Sequence, residues 1–143
     1  MQREFNFHTT IKPNDIDGSN HVNNARYLNI FEEARWSCFK GTCYDKPDIY
    51  SLGFAPVLID CTIKFRKELI LNELIYVNTG ITGIEKNLII HMKQTIFNQA
   101  EQKVCIANLR HGMLDLKARK MIEFPKDWLE ILIKEKKNAM VPT

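Results

Sequence analysis

The sequence has few of the features that mark a specialised class of protein. It contains 6 Gly and 5 Pro among 143 residues, which excludes a collagen-like or Pro-rich chain. No stretch approaches the roughly 18 uninterrupted apolar residues of a membrane-spanning helix, and the first residues lack the apolar run of a signal peptide. A 45% apolar content excludes disorder as the main state. We therefore expect one cytoplasmic domain over residues 1–143, with no membrane partner.

Cysteine is present but lacks the spacing of a metal or redox site. The four cysteines form no Cys-x-x-Cys pair, and no histidine stands near them at metal-ligand spacing. A chain of this size and apolar content does not need a disulfide framework. We predict no metal or organic cofactor and four reduced thiols, namely Cys38, Cys43, Cys61 and Cys105.

The numbers of basic and acidic residues are nearly equal. The 20 basic and 17 acidic residues leave a net charge of +3, and residues 117–137 account for all of the excess. A basic C-terminal end on a neutral body gives little support to nucleic-acid binding and equally suits an anionic small ligand.

The spacing of apolar residues predicts the secondary structure. Period-two alternation predicts strands, and a period near 3.6 predicts helices. Short turns between the last three strand-like runs predict a meander of hairpins. The order of elements predicts an α+β fold with one antiparallel sheet. The predicted strands cover residues 5–11, 57–66, 74–83, 88–97 and 104–116, and the predicted helices cover residues 23–40 and 125–136.

The segment between the first strand and the first helix is unusually polar. Ten of its residues include two Asp, three Asn, one Ser, one His and one Gly. Turn formation and helix capping explain part of this composition, but they do not require Asp17, His21 and a helix N-terminus within one loop. Such an N-terminus offers N–H donors to an oxygen that becomes negative. Asp17 can act as general base or nucleophile and His21 can orient water or a carbonyl, so the loop predicts an acyl-transfer site.

The first predicted helix places one charged residue among its apolar ones. Arg35 falls in the same arc as Tyr27, Phe31 and other apolar side chains. An unpaired charge there is costly, so Arg35 needs a partner or an exit to solvent. We expect Arg35 to be structural rather than catalytic, held by Glu32, three residues earlier, or by another buried carboxylate.

These motif residues resemble the signature of a known enzyme family. Asp15-Ile-Asp17, His21-Val-Asn-Asn-Ala-Arg-Tyr27 and Phe31-Glu-Glu-Ala-Arg35 are similar to segments of hotdog-fold acyl-CoA thioesterases, in the 4-hydroxybenzoyl-CoA thioesterase-like branch. The His-Val-Asn-Asn segment is also similar to plant acyl-carrier-protein thioesterases. Those enzymes have an Asn where this chain has Ser19, which favours the acyl-CoA branch. The resemblance covers residues 3–124 and implies a long central helix wrapped by a five-stranded antiparallel sheet; the predicted C-terminal helix follows.

The resemblance implies hydrolysis of an acyl-CoA thioester to a free carboxylic acid and CoA. Asp17 takes the position of the family's catalytic carboxylate, and His21 takes that of the histidine in the acyl-carrier-protein type. The backbone N–H of Asn24 takes the position of the donor to the thioester carbonyl. The implied substrate-binding residues are Tyr27, Phe54 and Pro56, and the cations available for the CoA phosphates are Lys64, Arg66, Lys67 and the basic C-terminal end.

Other interpretations stay open at this point. One is hydrolysis of an acyl-carrier-protein substrate. Another is a hotdog protein that binds an acyl ligand without hydrolysing it; such a protein would lack the carboxylate in the loop, whereas Asp17 is present. A nucleic-acid-binding domain would expose aromatic and basic residues on one strand face, and residues 88–97 show no such pairing. We also expect a homodimer or homotetramer with sites at the subunit interface, because the sheet leaves an edge strand that a second copy can extend.

Overall fold

A single antiparallel sheet forms most of the protein. The computed structural model describes residues 3–46 and 48–133. The five predicted strands are present, and their order across the sheet is β1-β3-β4-β5-β2, with a short sixth strand, β6, paired to β5. The α+β class and the single antiparallel sheet are therefore confirmed. The strands are β1 (Glu4–Thr10), β2 (Phe54–Phe65), β3 (Leu74–Glu85), β4 (Ile89–Phe97), β5 (Lys103–Asp115) and β6 (Lys120–Ile122).

The meander of hairpins is also confirmed, since β3, β4 and β5 are consecutive antiparallel neighbours. Lys86 and Asn87 reverse the chain after β3 with φ values of 49° and 56°, the left-handed conformation that tight hairpin turns use. After β4, the side-chain oxygen of Asn98 accepts the N–H groups of Ala100 and Gln102, both at 3.0 Å. These turns fix the register of the three central strands.

The strand β6 was not predicted. The turn before it closes because the Asp115 carboxylate accepts the N–H groups of Lys117 and Ala118, and because Arg119 adopts a φ of 59°. Its three residues are too few to show an alternating pattern. The prediction of five strands therefore missed one.

One face of the sheet is buried beneath the first helix. The helix α1 (Arg26–Ser37) buries Tyr27, Ile30, Phe31 and Ala34, and alternate residues of β3 and β4 face it. The helix is shorter than the predicted span of residues 23–40. A backbone bond from the Arg26 N–H to the Asn23 carbonyl forms a turn before it, and further turns follow Ser37. Its twelve residues extend about 18 Å.

Two further helices follow. The four-residue α2 (Asp48–Ser51) was not predicted. The helix α3 (Lys126–Ile133) was predicted, but its last expected residues, 134–136, lie outside the described residues. The same holds for those cations of the basic C-terminal end that follow residue 133. Trp128 of α3 stacks on Phe39 and Phe124 at centroid distances of 4.6 and 4.7 Å, so α3 docks onto the domain. Within residues 3–46 and 48–133, no helix is long and apolar enough to cross a bilayer.

Candidate active site

The loop before α1 folds back on itself. Residues Pro13–Asp15 form a single 3-10 turn, and Ile16 pairs with Val22 in an isolated antiparallel bridge. The Asp17 N–H donates to the His21 carbonyl at 3.3 Å. Asn20 adopts a φ of 66°, which closes this small loop. Asp17 and His21 therefore lie across from each other beside the start of the helix.

Three hydrogen bonds hold the carboxylate of Asp17. Its Oδ1 accepts the Ser19 N–H at 2.8 Å and also accepts the Ser19 hydroxyl. Its Oδ2 accepts the side-chain N–H of Asn23 at 3.1 Å. The hydroxyl and N–H of Ser19 lower the pKa of Asp17, and the charge of His21 and the Asn23 bond act in the same direction. The carboxylate is therefore exposed, oriented and ionised at neutral pH.

A chain of polar groups continues from Asp17 to His21. The Ser19 oxygen lies 3.3 Å from Nε2 of His21. Because the Ser19 hydroxyl donates its one proton to Asp17, Nε2 of His21 must be the donor in this contact. Nδ1 of His21 lies 3.8 Å from the Glu68 carboxylate. The Ser19 oxygen is therefore the hydrogen-bond contact of the imidazole, and the Glu68 carboxylate is a nearby negative charge beyond hydrogen-bond distance.

The start of α1 leaves one backbone donor available beside this carboxylate. The side-chain oxygen of Asn23 accepts the Ala25 N–H at 2.8 Å, and the Asn23 carbonyl accepts the Arg26 N–H at 2.9 Å. Asn23 therefore both closes the turn before the helix and orients Asp17. The backbone N–H of Asn24 has no hydrogen-bond partner among the described residues, which leaves it free for an outside acceptor.

These groups line one groove, here called the loop groove, with a volume of about 380 Å³. Phe65 is in edge-to-face contact with Tyr27 in its wall, at a centroid distance of 5.1 Å. The Val22 N–H donates to the Leu69 carbonyl at 2.9 Å and ties the segment after β2 to the loop. The groove brings together five of the eight predicted site residues: Asp17, His21, Asn24, Tyr27 and Arg66.

The other three predicted residues lie elsewhere. Pro56 lines a second cavity between α1, the sheet and α3, here called the α1 cavity, whose walls include Leu28, Arg35 and Met92. Phe54 packs beside Tyr44 at a centroid distance of 6.2 Å and lines neither cavity. Lys64 is exposed and, like Phe54, lines neither the loop groove nor the α1 cavity. The geometry thus separates Phe54 and Lys64 from the loop groove.

The sequence did not identify the supporting contacts of Ser19, Asn23 and Glu68. For Ser19, a local signal existed, because a Ser two residues after an Asp is the spacing of a side-chain-to-backbone turn. For Asn23, the signal was its position before the helix. For Glu68, no local signal exists, since the residue is far along the chain and reaches the loop only through the fold.

The prediction that a carboxylate holds Arg35 is wrong. Nη1 of Arg35 donates to the side-chain oxygen of Gln94 at 2.9 Å, and within the described part of the chain no carboxylate lies within ion-pair distance of it. The nearby charge of Glu32 favours the protonated form, but burial lowers the pKa of Arg35 more strongly. The partner is a neutral amide on β4, which local helix spacing cannot reveal.

Known proteins are similar to this chain in sequence and in fold. Residues 11–132 match the model of the thioesterase-like superfamily. The long-chain acyl-CoA thioesterase FadM of Escherichia coli (strain K12) is 27% identical over 88% of this chain and 91% of its own length.

Two solved structures illustrate the likeness in three dimensions. The 1,4-dihydroxy-2-naphthoyl-CoA thioesterase Slr0204 from Synechocystis has a TM-score of 0.82 at 23% identity, over 91% of this chain and 96% of that one. The hypothetical protein SAV2348 from Staphylococcus aureus, solved in complex with CoA, has a TM-score of 0.82 at 16% identity, over 92% of this chain and 82% of that one. Both likenesses concern the fold.

The curled antiparallel sheet, its helix and the family match define a hotdog-fold thioesterase, an enzyme that hydrolyses thioesters. The match extends over most of the chain, and this protein belongs to the thioesterase-like superfamily. The family indicated by the loop and helix motifs is thereby confirmed.

Proposed function

We propose that this protein is an acyl-CoA thioesterase, which hydrolyses an acyl-CoA to a carboxylic acid and free CoA. The observation that carries the proposal is the composition of the loop groove. The groove is lined by the ionised carboxylate of Asp17, by Asn24, whose backbone N–H has no partner among the described residues, and by the cations Arg66 and Lys67. The relative named a long-chain acyl-CoA thioesterase and the related fold solved with CoA support the same substrate class.

Asp17 is the proposed catalytic carboxylate. Its Oδ1 already accepts two hydrogen bonds and its Oδ2 accepts one. Since each carboxylate oxygen has about two acceptor positions, Oδ2 is the atom with room for a water proton. As general base, Asp17 takes a proton from water while the water oxygen bonds to the carbonyl carbon. The carbon–sulfur bond then breaks, and the proton passes to the departing CoA sulfur.

Asp17 can also attack the carbonyl carbon directly. That route expels the CoA thiolate, forms an anhydride and ends when water hydrolyses the anhydride. Both routes need the ionised carboxylate, and both need the same substrate orientation. His21, in contact with the Ser19 oxygen and near the Glu68 carboxylate, contributes to that orientation rather than to bond formation.

The N–H of Asn24 is the proposed donor to the thioester carbonyl. It lies one residue before the N-cap Ala25 of α1, near the helix N-terminus whose dipole also favours negative charge. Donors of this kind stabilise a developing oxyanion by about 3–4 kcal/mol in other acyl-transfer enzymes. Arg66 and Lys67, which also line the groove, are the proposed contacts for the CoA phosphates.

The proposal is tested by comparing two carriers of the same acyl group. Purified protein is assayed for thiol release with an acyl-CoA and with the matching acyl-carrier-protein ester. We expect a clearly higher kcat/KM for the acyl-CoA, because the groove cations suit CoA phosphates. A higher kcat/KM for the protein-bound ester would contradict the assignment, and so would binding of acyl-CoA without thiol release.

Removal of the Ser19 hydroxyl should change the pH profile. The pKa of Asp17 lies below its ordinary value of 3.8, mainly because of Ser19, so the wild-type carboxylate stays ionised as the pH falls towards that value. Ser19→Ala should raise the pKa and move the acidic limb of kcat/KM upward, since this limb reports the free-enzyme base. Ser51→Ala, at an exposed serine bonded to the Asp48 carbonyl, is the control. An unchanged acidic limb in Ser19→Ala would contradict this role of the hydroxyl.

We propose that two or more copies assemble through the free edge of β2. No strand pairs with that edge within the described residues, and Leu58, Ile59 and Phe65 of β2 are exposed. An unpaired edge with apolar side chains is a surface that a second copy can extend. Light scattering at micromolar concentration should therefore give at least a dimer. A fully active monomer under the same conditions would contradict this expectation.

A further inference from the structure

The α1 cavity is separate from the loop groove but begins close to it. It has a volume of about 290 Å³, and no residue lines both spaces. Leu28, Phe39, Leu58 and Met92 form apolar parts of its wall. Ligand sites commonly combine such apolar walls with a small number of polar groups.

Arg35 supplies a fixed cation to this cavity. Its partner Gln94 is fully buried and donates in turn to the Phe31 carbonyl at 2.9 Å and to the Thr79 hydroxyl at 3.0 Å. These bonds fix the orientation of the Gln94 amide and therefore the position of the guanidinium. A guanidinium has five N–H donors, and a neutral amide does not compensate its charge.

Two buried nitrogens in the same wall also lack partners. Nε2 of His111 and Nε1 of Trp128 form no hydrogen bond with any described residue, and the two side chains are only 6% and 3% exposed. Burial and the positive charge of Arg35 lower the pKa of His111 to about 3, so its ring is neutral at neutral pH. Buried polar atoms without partners are rare in folded proteins and call for an explanation.

The shared chemistry of these groups points to one kind of ligand. Arg35 and Trp128 can only donate hydrogen bonds, and neutral His111 can donate one. A carboxylate only accepts, offers about four acceptor positions and pairs with a guanidinium in a fixed geometry. We propose that the α1 cavity binds the far end of the acyl group and selects acyl groups that end in a carboxylate. This inference rests on the proposed acyl-CoA thioesterase function.

The position of the cavity along α1 fits this role. Leu28 lies in the first turn of α1, and Arg35 lies about 14 Å along the helix axis from Arg26, the first helical residue. An acyl chain whose thioester lies at Asn24 can therefore extend along the helix towards Arg35.

One acidic side chain also lines the cavity. The exposed Glu32 accepts the Trp36 ring N–H at 3.4 Å and forms no ion pair with Arg35 in the described part of the chain. The Arg35 charge is therefore not neutralised by direct contact with Glu32.

The test compares acyl-CoA esters that differ at the far end of the acyl chain. Wild-type kcat/KM is measured for a series of carboxylate-ended acyl-CoAs and for methyl-ended acyl-CoAs of equal length. We expect the best carboxylate-ended ester to be favoured by at least about tenfold, the scale of one charge-assisted hydrogen bond. Equal values for the two series would overturn the inference and leave the proposed function intact, whereas no hydrolysis of any acyl-CoA would overturn the proposed function itself.

Substitutions in the cavity wall then test whether the α1 cavity causes the preference for carboxylate-ended esters. Arg35→Gln should lower kcat/KM for the carboxylate-ended ester by about tenfold or more and leave the methyl-ended ester nearly unchanged. Arg35→Lys should recover part of the preference, because it keeps the charge. Arg110→Gln, at an exposed arginine paired with Asp60, is the matched control and should leave the ratio unchanged.

Two further results keep the inference open to contradiction. If Arg35→Gln fails to fold, Trp128→Phe tests the inference instead, because it removes the Nε1 donor and keeps an aromatic ring. An unchanged ratio of kcat/KM between the carboxylate-ended and methyl-ended esters in that variant would overturn the inference. If Arg35→Gln folds but changes the oligomeric state and slows both esters equally, a second copy of the chain fills the cavity, and the inference is again overturned.

Discussion

Asp17→Asn should lower kcat/KM for acyl-CoA hydrolysis by at least ~10²-fold, the lower range for loss of a general base. The asparagine keeps the shape of the side chain but has neither the basicity nor the nucleophilicity of the carboxylate. Asp17 is exposed and its partners Ser19 and Asn23 belong to the same loop, so fold and oligomeric state should not change. Steady-state thiol release measures the effect, with circular dichroism and light scattering as checks.

Asp15→Asn is the matched control for this substitution. The Asp15 carboxylate accepts the Lys12 N–H at 2.9 Å and lies 3.6 Å from Nε of Arg26, so it stabilises the loop and lies outside the loop groove. We expect a smaller loss of activity in Asp15→Asn, and also in His21→Ala, whose role is orientation. Near-normal turnover in Asp17→Asn, or a larger loss in Asp15→Asn, would show that the chemistry is assigned to the wrong carboxylate.

Gln94→Leu should cause the largest loss of stability, about 3 kcal/mol, because it breaks a buried hydrogen bond to a charged group. Gln94 is fully buried and joins Arg35, the Phe31 carbonyl and the Thr79 hydroxyl. Leucine has a similar size but leaves these groups without their shared partner. For a chain of this length, the melting temperature should fall by roughly 6–12 °C.

Gln99→Leu is the control for this effect. The side chain of Gln99 is exposed and accepts a single bond from the Leu74 N–H at 3.2 Å, so its replacement should cost less than about 1 kcal/mol. Thermal and urea unfolding of both variants provide the comparison. Equal stability of the two variants would mean that Gln94 does not hold Arg35 in the folded protein.

The sequence predicted the strands well because their pattern is local. In β3, alternate residues from Ile75 to Ile81 face the helix, which produces the period of two that the sequence displays. Tight turns with Asn87 and Asn98 likewise have local signals. The elements that were missed, α2 and β6, are three or four residues long, which is too short for a periodic signal.

The site was predictable only where it is contained in one segment. Asp17, His21 and Asn24 come together through a loop that closes within a few residues. Glu68 and the bond between Arg35 and Gln94 depend on residues distant in sequence, so no helix or strand spacing can reveal them. The α1 cavity likewise combines residues of two helices and three strands, and it becomes visible only in the folded chain.

The most direct test of the central claim follows the oxygen atom of the attacking water. Wild-type protein is incubated with an acyl-CoA in water that carries a heavy oxygen isotope, and released CoA and acid are measured over many turnovers by mass spectrometry. Hydrolysis predicts equal amounts of the two products and one heavy oxygen atom in nearly every acid molecule. Acyl-CoA that binds and stays intact would contradict the account and would identify a protein that only binds its acyl ligand.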